Sequence, residues 1–243
     1  MRLSERCYAV TGLAYKFPPV VNAGFIVGDR ETLIVDTSAN ALGAATIHGY
    51  ATAVREWNVL RVINTEKHFD HIGGNGFFGE LDVPILGHAA IQRTTTEFLE
   101  ERATFHPGFH YATMPVNPDE AVIDDTELDL GGCRVEILLT PGHTDSNLSV
   151  WVPDEGVLYC GDCLTNQFAP NLDAADGLPS WQQWLQSLDR IEALAPEVVV
   201  CGHGPVESGA DVLLLVGRVR KALLQRVTDA LAITTAEPED IDS

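Results

Sequence analysis

Leu60-Arg61-Val62-Ile63-Asn64-Thr65-Glu66-Lys67-His68-Phe69-Asp70-His71-Ile72-Gly73-Gly74-Asn75 is the stretch on which the reading of this chain turns. Leu60 to Ile63 is a short apolar run of the kind that forms a buried strand. It leads directly into a loop dense in ligand types. Glu66, His68 and Asp70 alternate, so an extended backbone aims them to one side, and His71 must point elsewhere. One short loop can thereby feed two adjacent metal ions. Strand ends are where a rigid scaffold best aims such side chains.

Three further candidates follow the same rule. His143 comes after the run Val135 to Leu139, Asp162 after Val157 to Tyr159, and His203 after Val198 to Val200. Glycines flank them (Gly142, Gly161, Gly202 and Gly204) and let the backbone turn sharply or come close to an ion. A single loop histidine is usually just solvated, and a lone Gly-Asp is usually a turn. Seven such residues, each at a strand exit, do not reduce to that. Nitrogen and oxygen donors of this kind suit zinc, iron or manganese.

The rest of the chain supplies a layered frame. Val20 to Val27 and Thr32 to Val35 read as strands around the turn Gly28-Asp29-Arg30. A helix is expected over 39–57, a strand over Val83 to Leu86, and a helix from about His88 to Ala103. Residues 104–120 read as a loop over a site, with His106, His110, Tyr111 and Met114 as pocket candidates. A hairpin turns at Gly131-Gly132, and Leu148 to Val152 is a strand. Residues 180–194 place Trp181, Trp184, Leu185, Leu188, Ile191 and Leu194 on one helical face. A last helix spans about 209–232, and the acidic tail from Glu237 to Ser243 is expected to fray. Strands and helices alternate in both halves, which predicts an α/β domain of sheets covered by helices. No linker divides the chain, so 1–243 reads as a single domain.

Composition narrows the partners. Apolar residues make up 45% and charged residues 21%, ordinary values for a globular protein. The formal net charge of −20 opposes binding to nucleic acid. No apolar run is long enough for a membrane span, and the start has no signal-peptide core. The five cysteines are odd in number and scattered, which is no disulfide framework. Cys160 and Cys163 read as packing thiols rather than a redox pair. A cytoplasmic protein acting on a small molecule is expected, with no nucleic acid and no membrane. Whether it pairs as a homodimer stays open. Lys67 is expected to be solvated.

Thr65-Glu66-Lys67-His68-Phe69-Asp70-His71-Ile72-Gly73-Gly74 resembles the His-x-His-x-Asp-His signature of the metallo-β-lactamase superfamily. Pro141-Gly142-His143-Thr144, Gly161-Asp162 and Gly202-His203-Gly204 look like its remaining metal motifs, in the family's order. Val35-Asp36-Thr37 resembles its early strand-end Asp. The resemblance implies an αββα sandwich, two mixed sheets flanked by helices, with a metal cleft at one edge. It implies a first ion on Glu66, His68 and His143, and a second on Asp70, His71 and His203. Asp162 and a water or hydroxide would bridge them. Two divalent ions are implied, zinc first, with iron or manganese as alternatives. Asp70 becomes the catalytic candidate, orienting the nucleophile or passing its proton on. Asp36 becomes a supporting residue that ties its loop to the site.

The departure from the family pattern is Glu66, where His is usual. Either its carboxylate joins the first ion, or it stands off and one ion binds. In the first case Glu66, Asp70, Asp162 and the hydroxide roughly balance two dications. A more neutral centre is a weaker Lewis acid, so the pKa of its water is higher, and it favours harder metals. Glu66→His is therefore expected to move the pH–rate profile to more acidic pH. An unchanged profile would count against the charge argument.

The family's branches differ in what surrounds the motifs. After His203 there is room for one helix and a tail, whereas glutathione-thioester hydrolases usually add a helical substrate domain. Class B1 β-lactamases carry Cys where Asp162 stands. Persulfide dioxygenases use one iron on two His and one Asp. The expectation is a hydrolase of a small ester, lactone, thioester or amide. An iron oxidoreductase on the same fold, or a β-lactamase, is the alternative.

Overall fold

The computed structural model describes residues 1–13, 21–97, 99–100, 116–167 and 169–236. Its apolar runs pair into two six-stranded sheets. The first contains β1 (Cys7–Leu13), β2 (Val21–Val27), β3 (Glu31–Val35), β4 (Val59–Asn64), β5 (Ile85–His88) and β6 (Glu120–Val122), in that order. β1 to β3 form an antiparallel meander, and β3 to β6 pair in parallel. Parallel neighbours need a crossover. Between β3 and β4 it is α1 (Ala41–Val54), started by Asn40, whose side chain accepts from the Gly43 amide at 2.9 Å. Two short helices, α2 (Phe69–Ile72) and α3 (Asn75–Gly79), lie between β4 and β5.

The second sheet is built from β7 (Thr126–Asp129), β8 (Arg134–Leu139), β9 (Leu148–Val152), β10 (Val157–Tyr159), β11 (Val198–Val200) and β12 (Glu207–Ser208). Its spatial order is β12-β11-β10-β9-β8-β7, with β10 and β11 parallel. Helices α4 (Leu178–Leu194) and α5 (Ala210–Ala236) complete this half.

Side-chain alternation decides the layering. Leu33, Val35 and Ile63 point inward to meet Val135, Ile137, Val150, Val152 and Val200 of the second sheet. Their neighbours Ile34 and Val62 point outward onto Ala44, Ile47 and Ala51 of α1. On the far side Leu138, Trp151 and Leu158 meet Trp184, Leu188 and Ile191 of α4 and Val216 and Val219 of α5. The result is the αββα sandwich. Strands covered on both faces read as near-continuous apolar runs, and burying each Leu- or Ile-sized side chain is worth ~1.5–3 kcal/mol. Tyr159 ties the layers together: its hydroxyl accepts from the Tyr8 amide at 3.1 Å and donates to the Tyr8 carbonyl at 3.0 Å.

Several expectations need correction. The helix expected from His88 begins only at Thr95, because His88 is held in parallel register with Val122. Thr94 and Glu97 then form a reciprocal cap: the Thr94 amide donates to Glu97 at 2.8 Å, and the Glu97 amide donates back to Thr94 at 3.2 Å. The end expected for that helix, most of the 104–120 loop with His106, His110, Tyr111 and Met114, and the tail from Glu237 lie outside the described residues. Glu120, expected as the last residue of the loop, instead opens strand β6. All five cysteines are free and buried. Among the described residues no helix is long and apolar enough to cross a membrane.

Candidate metal centre

The exits of β4, β8, β10 and β11 all reach one edge of the sandwich. Beyond β4, the Thr65 carbonyl accepts from the Leu148 amide at 2.6 Å, which ties this exit to the second sheet. The extended run does not continue as expected. His68 is the last extended residue, and Asp70 and His71 lie on the single turn of α2. The division of labour shifts accordingly. Glu66 and His68 stand together, and Asp70 and His71 stand together on the turn.

Asp36 fixes this turn. It has a left-handed backbone with φ of 62°, a conformation that Asp tolerates better than most residues. One carboxylate oxygen accepts from the Thr65 amide, and the other from the Thr65 hydroxyl, both at 2.7 Å. The second oxygen also lies 2.8 Å from His71 Nδ1, which leaves His71 Nε2 for the cluster. A hydrogen bond on one ring nitrogen sets the tautomer and aims the other. Asp36→Ala would strand the Thr65 amide and leave His71 Nδ1 only the Thr65 hydroxyl at 3.4 Å. It is expected to weaken metal binding by about 10–100-fold, read by competition with a fluorescent chelator; unchanged affinity would contradict this role.

The other motifs are held just as firmly. The Pro141 carbonyl accepts from Ser187 of α4 at 2.7 Å, and the His143 ring packs edge-on against Trp184. Asp162 sits on a single helical turn, Gly161–Cys163. The Gly202 amide donates to the Gly161 carbonyl at 2.7 Å, and the Gly202 carbonyl accepts from the Asn22 amide at 2.7 Å. Asn22 also donates through its side chain to the carbonyls of Cys201 and Gly204. Gly142, Gly161 and Gly204 adopt positive φ as turns require. Gly202 serves by having no side chain: a Cβ there would stand 2.0 Å from Asp162 Oδ1.

All seven candidate ligands converge. His143 Nε2 lies 3.2 Å from His68 Nδ1 and 3.5 Å from Glu66 Oε1. His203 Nε2 lies 3.2 Å from Asp70 Oδ2 and 3.3 Å from Asp162 Oδ2. His71 Nε2 is 3.4 Å from both Glu66 Oε1 and Asp162 Oδ1. Three overlapping groups result: Glu66, His68 and His143; Asp70, His71 and His203; and Glu66, His71 and Asp162. Ligand atoms about 2.1 Å from one ion, at the tetrahedral angle, stand roughly 3.4 Å apart. The buried atoms His71 Nε2 and Asp162 Oδ1 form no hydrogen bond among the described residues. Donor type, spacing and unsatisfied atoms therefore fit divalent metal ions.

The electrostatics agree. Burial opposes ionisation of Glu66, but the charges on His68, His143 and His71 hold its carboxyl well below the usual range. Asp162 is likewise held low, against burial, by His203 and His71. Burial alone would lower His203, yet Asp162 and Asp70 push it up to about 11. His71 is raised in the same way, Asp36 being the largest of the acidic influences on it. Both shifts favour the doubly protonated ring in the metal-free centre, so an ion must displace protons to bind there. Metal uptake at pH 7.5 is thus expected to release about two protons and to tighten as pH rises. Calorimetry in buffers of different ionisation enthalpy measures this, and uptake without proton release would contradict it.

Some contributors escaped the sequence reading. Asn22 is a buried polar residue inside the run Val20 to Val27, and that interruption was the available signal. Asn75 is buried and bonded to Asn64 and Thr37 behind the ligand loop. Lys67, expected to be solvated, donates to Asp145 at 2.7 Å and so joins the loop of His68 to that of His143. A cleft of about 480 Å³ opens beside His68, lined by Lys67, His68, Ala90, Gln92, Arg93 and Glu97.

Comparison with known proteins places this geometry. The family model described as the metallo-beta-lactamase superfamily matches residues 17–203. A hydroxyacylglutathione hydrolase from Brucella anthropi is 29% identical over 218 residues, covering 89% of this chain and 74% of the relative. Another hydroxyacylglutathione hydrolase, from Methylococcus capsulatus, is 31% identical over 178 residues, covering 73% of this chain and 60% of the relative. A solved metallo-beta-lactamase from Pontibacter korlensis superposes with a TM-score of 0.72 at 20% identity, covering 92% of this chain and 97% of that one. At that identity the likeness speaks for the fold.

Proposed function

Since the chain belongs to the metallo-beta-lactamase superfamily, we propose that it is a metal-dependent hydrolase with a dinuclear centre that cleaves a small acyl substrate. Glu66, His68 and His143 would hold one divalent ion, and Asp70, His71 and His203 the other, with Asp162 shared. Zinc is the first expectation, and iron or manganese suit the oxygen-rich donor set. The observation that carries the reading is the convergence of seven donors at ligand–ligand spacing.

When bound, the ions would supply a hydroxide at neutral pH and polarise the acyl carbonyl. The chain's own groups do the rest. Asp70 has a side chain 24% exposed, against 0% for Glu66 and 12% for Asp162. It is the carboxylate of the cluster best placed to hold and pass on a proton at the open side. The cleft beside His68 is within the usual volume range for a small-molecule site.

Among acyl substrates a thioester comes first, because the relatives described above carry that activity in their name. The test is turnover by metal-loaded protein on an S-acylglutathione, a lactone, a nitrophenyl ester and a cephalosporin. Metal-dependent hydrolysis with the thioester preferred is expected. Absence of acyl hydrolysis at full metal loading, with iron-dependent oxygen uptake instead, would overturn it.

A further inference from the structure

Glu66 sits where the family pattern has a histidine, and the two side chains differ in reach. A histidine nitrogen offers one lone pair to one ion, whereas a carboxylate has two oxygens. Glu66 is fully buried, and its oxygens face ligands of both groups. Both oxygens stand beside His68 Nδ1, a member of the first group, Oε2 at 2.8 Å and Oε1 at 2.9 Å. Oε1 lies 3.5 Å from His143 Nε2 of that group and 3.4 Å from His71 Nε2 of the other. Asp162 has the same double relation, through His143 on one hand and His71 and His203 on the other. Glu66 recurs in two of the three candidate groups, as His71 does, whereas His68 and His143 fall within one only.

From this sharing we propose that Glu66 is a second bridging ligand, common to both ions together with Asp162. The inference rests on the two-ion reading above. His71 cannot swing to a private position, because Asp36 holds its other nitrogen at 2.8 Å. Two carboxylate bridges couple the sites, so loss of Glu66 weakens both ions, while loss of a terminal ligand weakens one.

Calorimetric titration of the metal-stripped full chain with Mn²⁺ tests this, comparing wild type, Glu66→Gln, His68→Gln and Glu66→His. Both Glu66→Gln and His68→Gln cripple the first position. His68→Gln is expected to keep the remaining ion near wild-type affinity. Glu66→Gln is expected to bind that ion at least about tenfold more weakly, the scale of loss when a metal site's support is removed. Glu66→His can restore a terminal ligand but not a bridge, so it should regain the first ion and leave the other weak. It also serves if Glu66→Gln does not fold, which circular dichroism reports. Equal affinity for the remaining ion in Glu66→Gln and His68→Gln, or full recovery of both ions in Glu66→His, overturns the bridge. Fewer than two ions in the wild type overturns the two-ion reading itself, so the two failures are distinguishable.

Discussion

Asp70→Asn is expected to lower kcat by about 10²–10⁴-fold, the range for loss of a positioned acid–base group, with the far-ultraviolet spectrum unchanged. Asparagine keeps the shape of the side chain but removes its negative charge and its capacity to hold and release a proton. Asp70 lies on the single turn of α2 and is the most exposed carboxylate of the cluster, so little packing depends on it. Because it also faces His203 Nε2 at 3.2 Å, metal affinity should fall as well. The assay therefore belongs at saturating metal, with metal content measured alongside. A group that acts only in the transition state lowers kcat and kcat/KM together. Activity within tenfold of wild type would remove Asp70 from the chemistry.

Gly202→Ala is expected to be nearly as damaging, through one methyl group. The new Cβ would meet Asp162 Oδ1 at 2.0 Å and His71 Cε1 at 2.9 Å. Retreat of the backbone is blocked on both sides by the hydrogen bonds to Gly161 and Asn22. The ligands must give way instead. Displacement of reacting groups by about 1 Å costs about 10²-fold in rate, and overpacking costs ~1–3 kcal/mol of stability. Reduced metal occupancy and an approximately hundredfold lower kcat/KM are the expected results. Gly217→Ala is the control, since a Cβ there meets no atom within 4 Å. Equal activity in the two variants would show that Gly202 does not keep space for the ligands.

How much of this was legible depended on whether a feature is local. Leu60 to Ile63 and Val157 to Tyr159 announce themselves because strands covered on both faces must be apolar throughout. The amphipathic stripe of α4 is similarly local, and Trp184 proves to lie both in the core and against His143. β6 and β12 are only three and two residues long, too short to carry a periodic pattern. The turn at Phe69–Ile72 has no side-chain cap to signal it, and is held from outside by Asp36 and Thr37. Lys67 looks like any surface lysine until Asp145, 78 positions later in the chain, is brought beside it. The ligand types could be read from strand exits, but which oxygens of Glu66 face which histidines is a tertiary fact. That fact separates a terminal ligand from a shared one.

The most direct measurement is a crystal structure of the zinc-loaded protein with anomalous scattering recorded at the zinc edge. Two peaks are predicted, both enclosed by Glu66, His68, Asp70, His71, His143, Asp162 and His203. A single peak, or ions bound away from these seven side chains, would contradict the account.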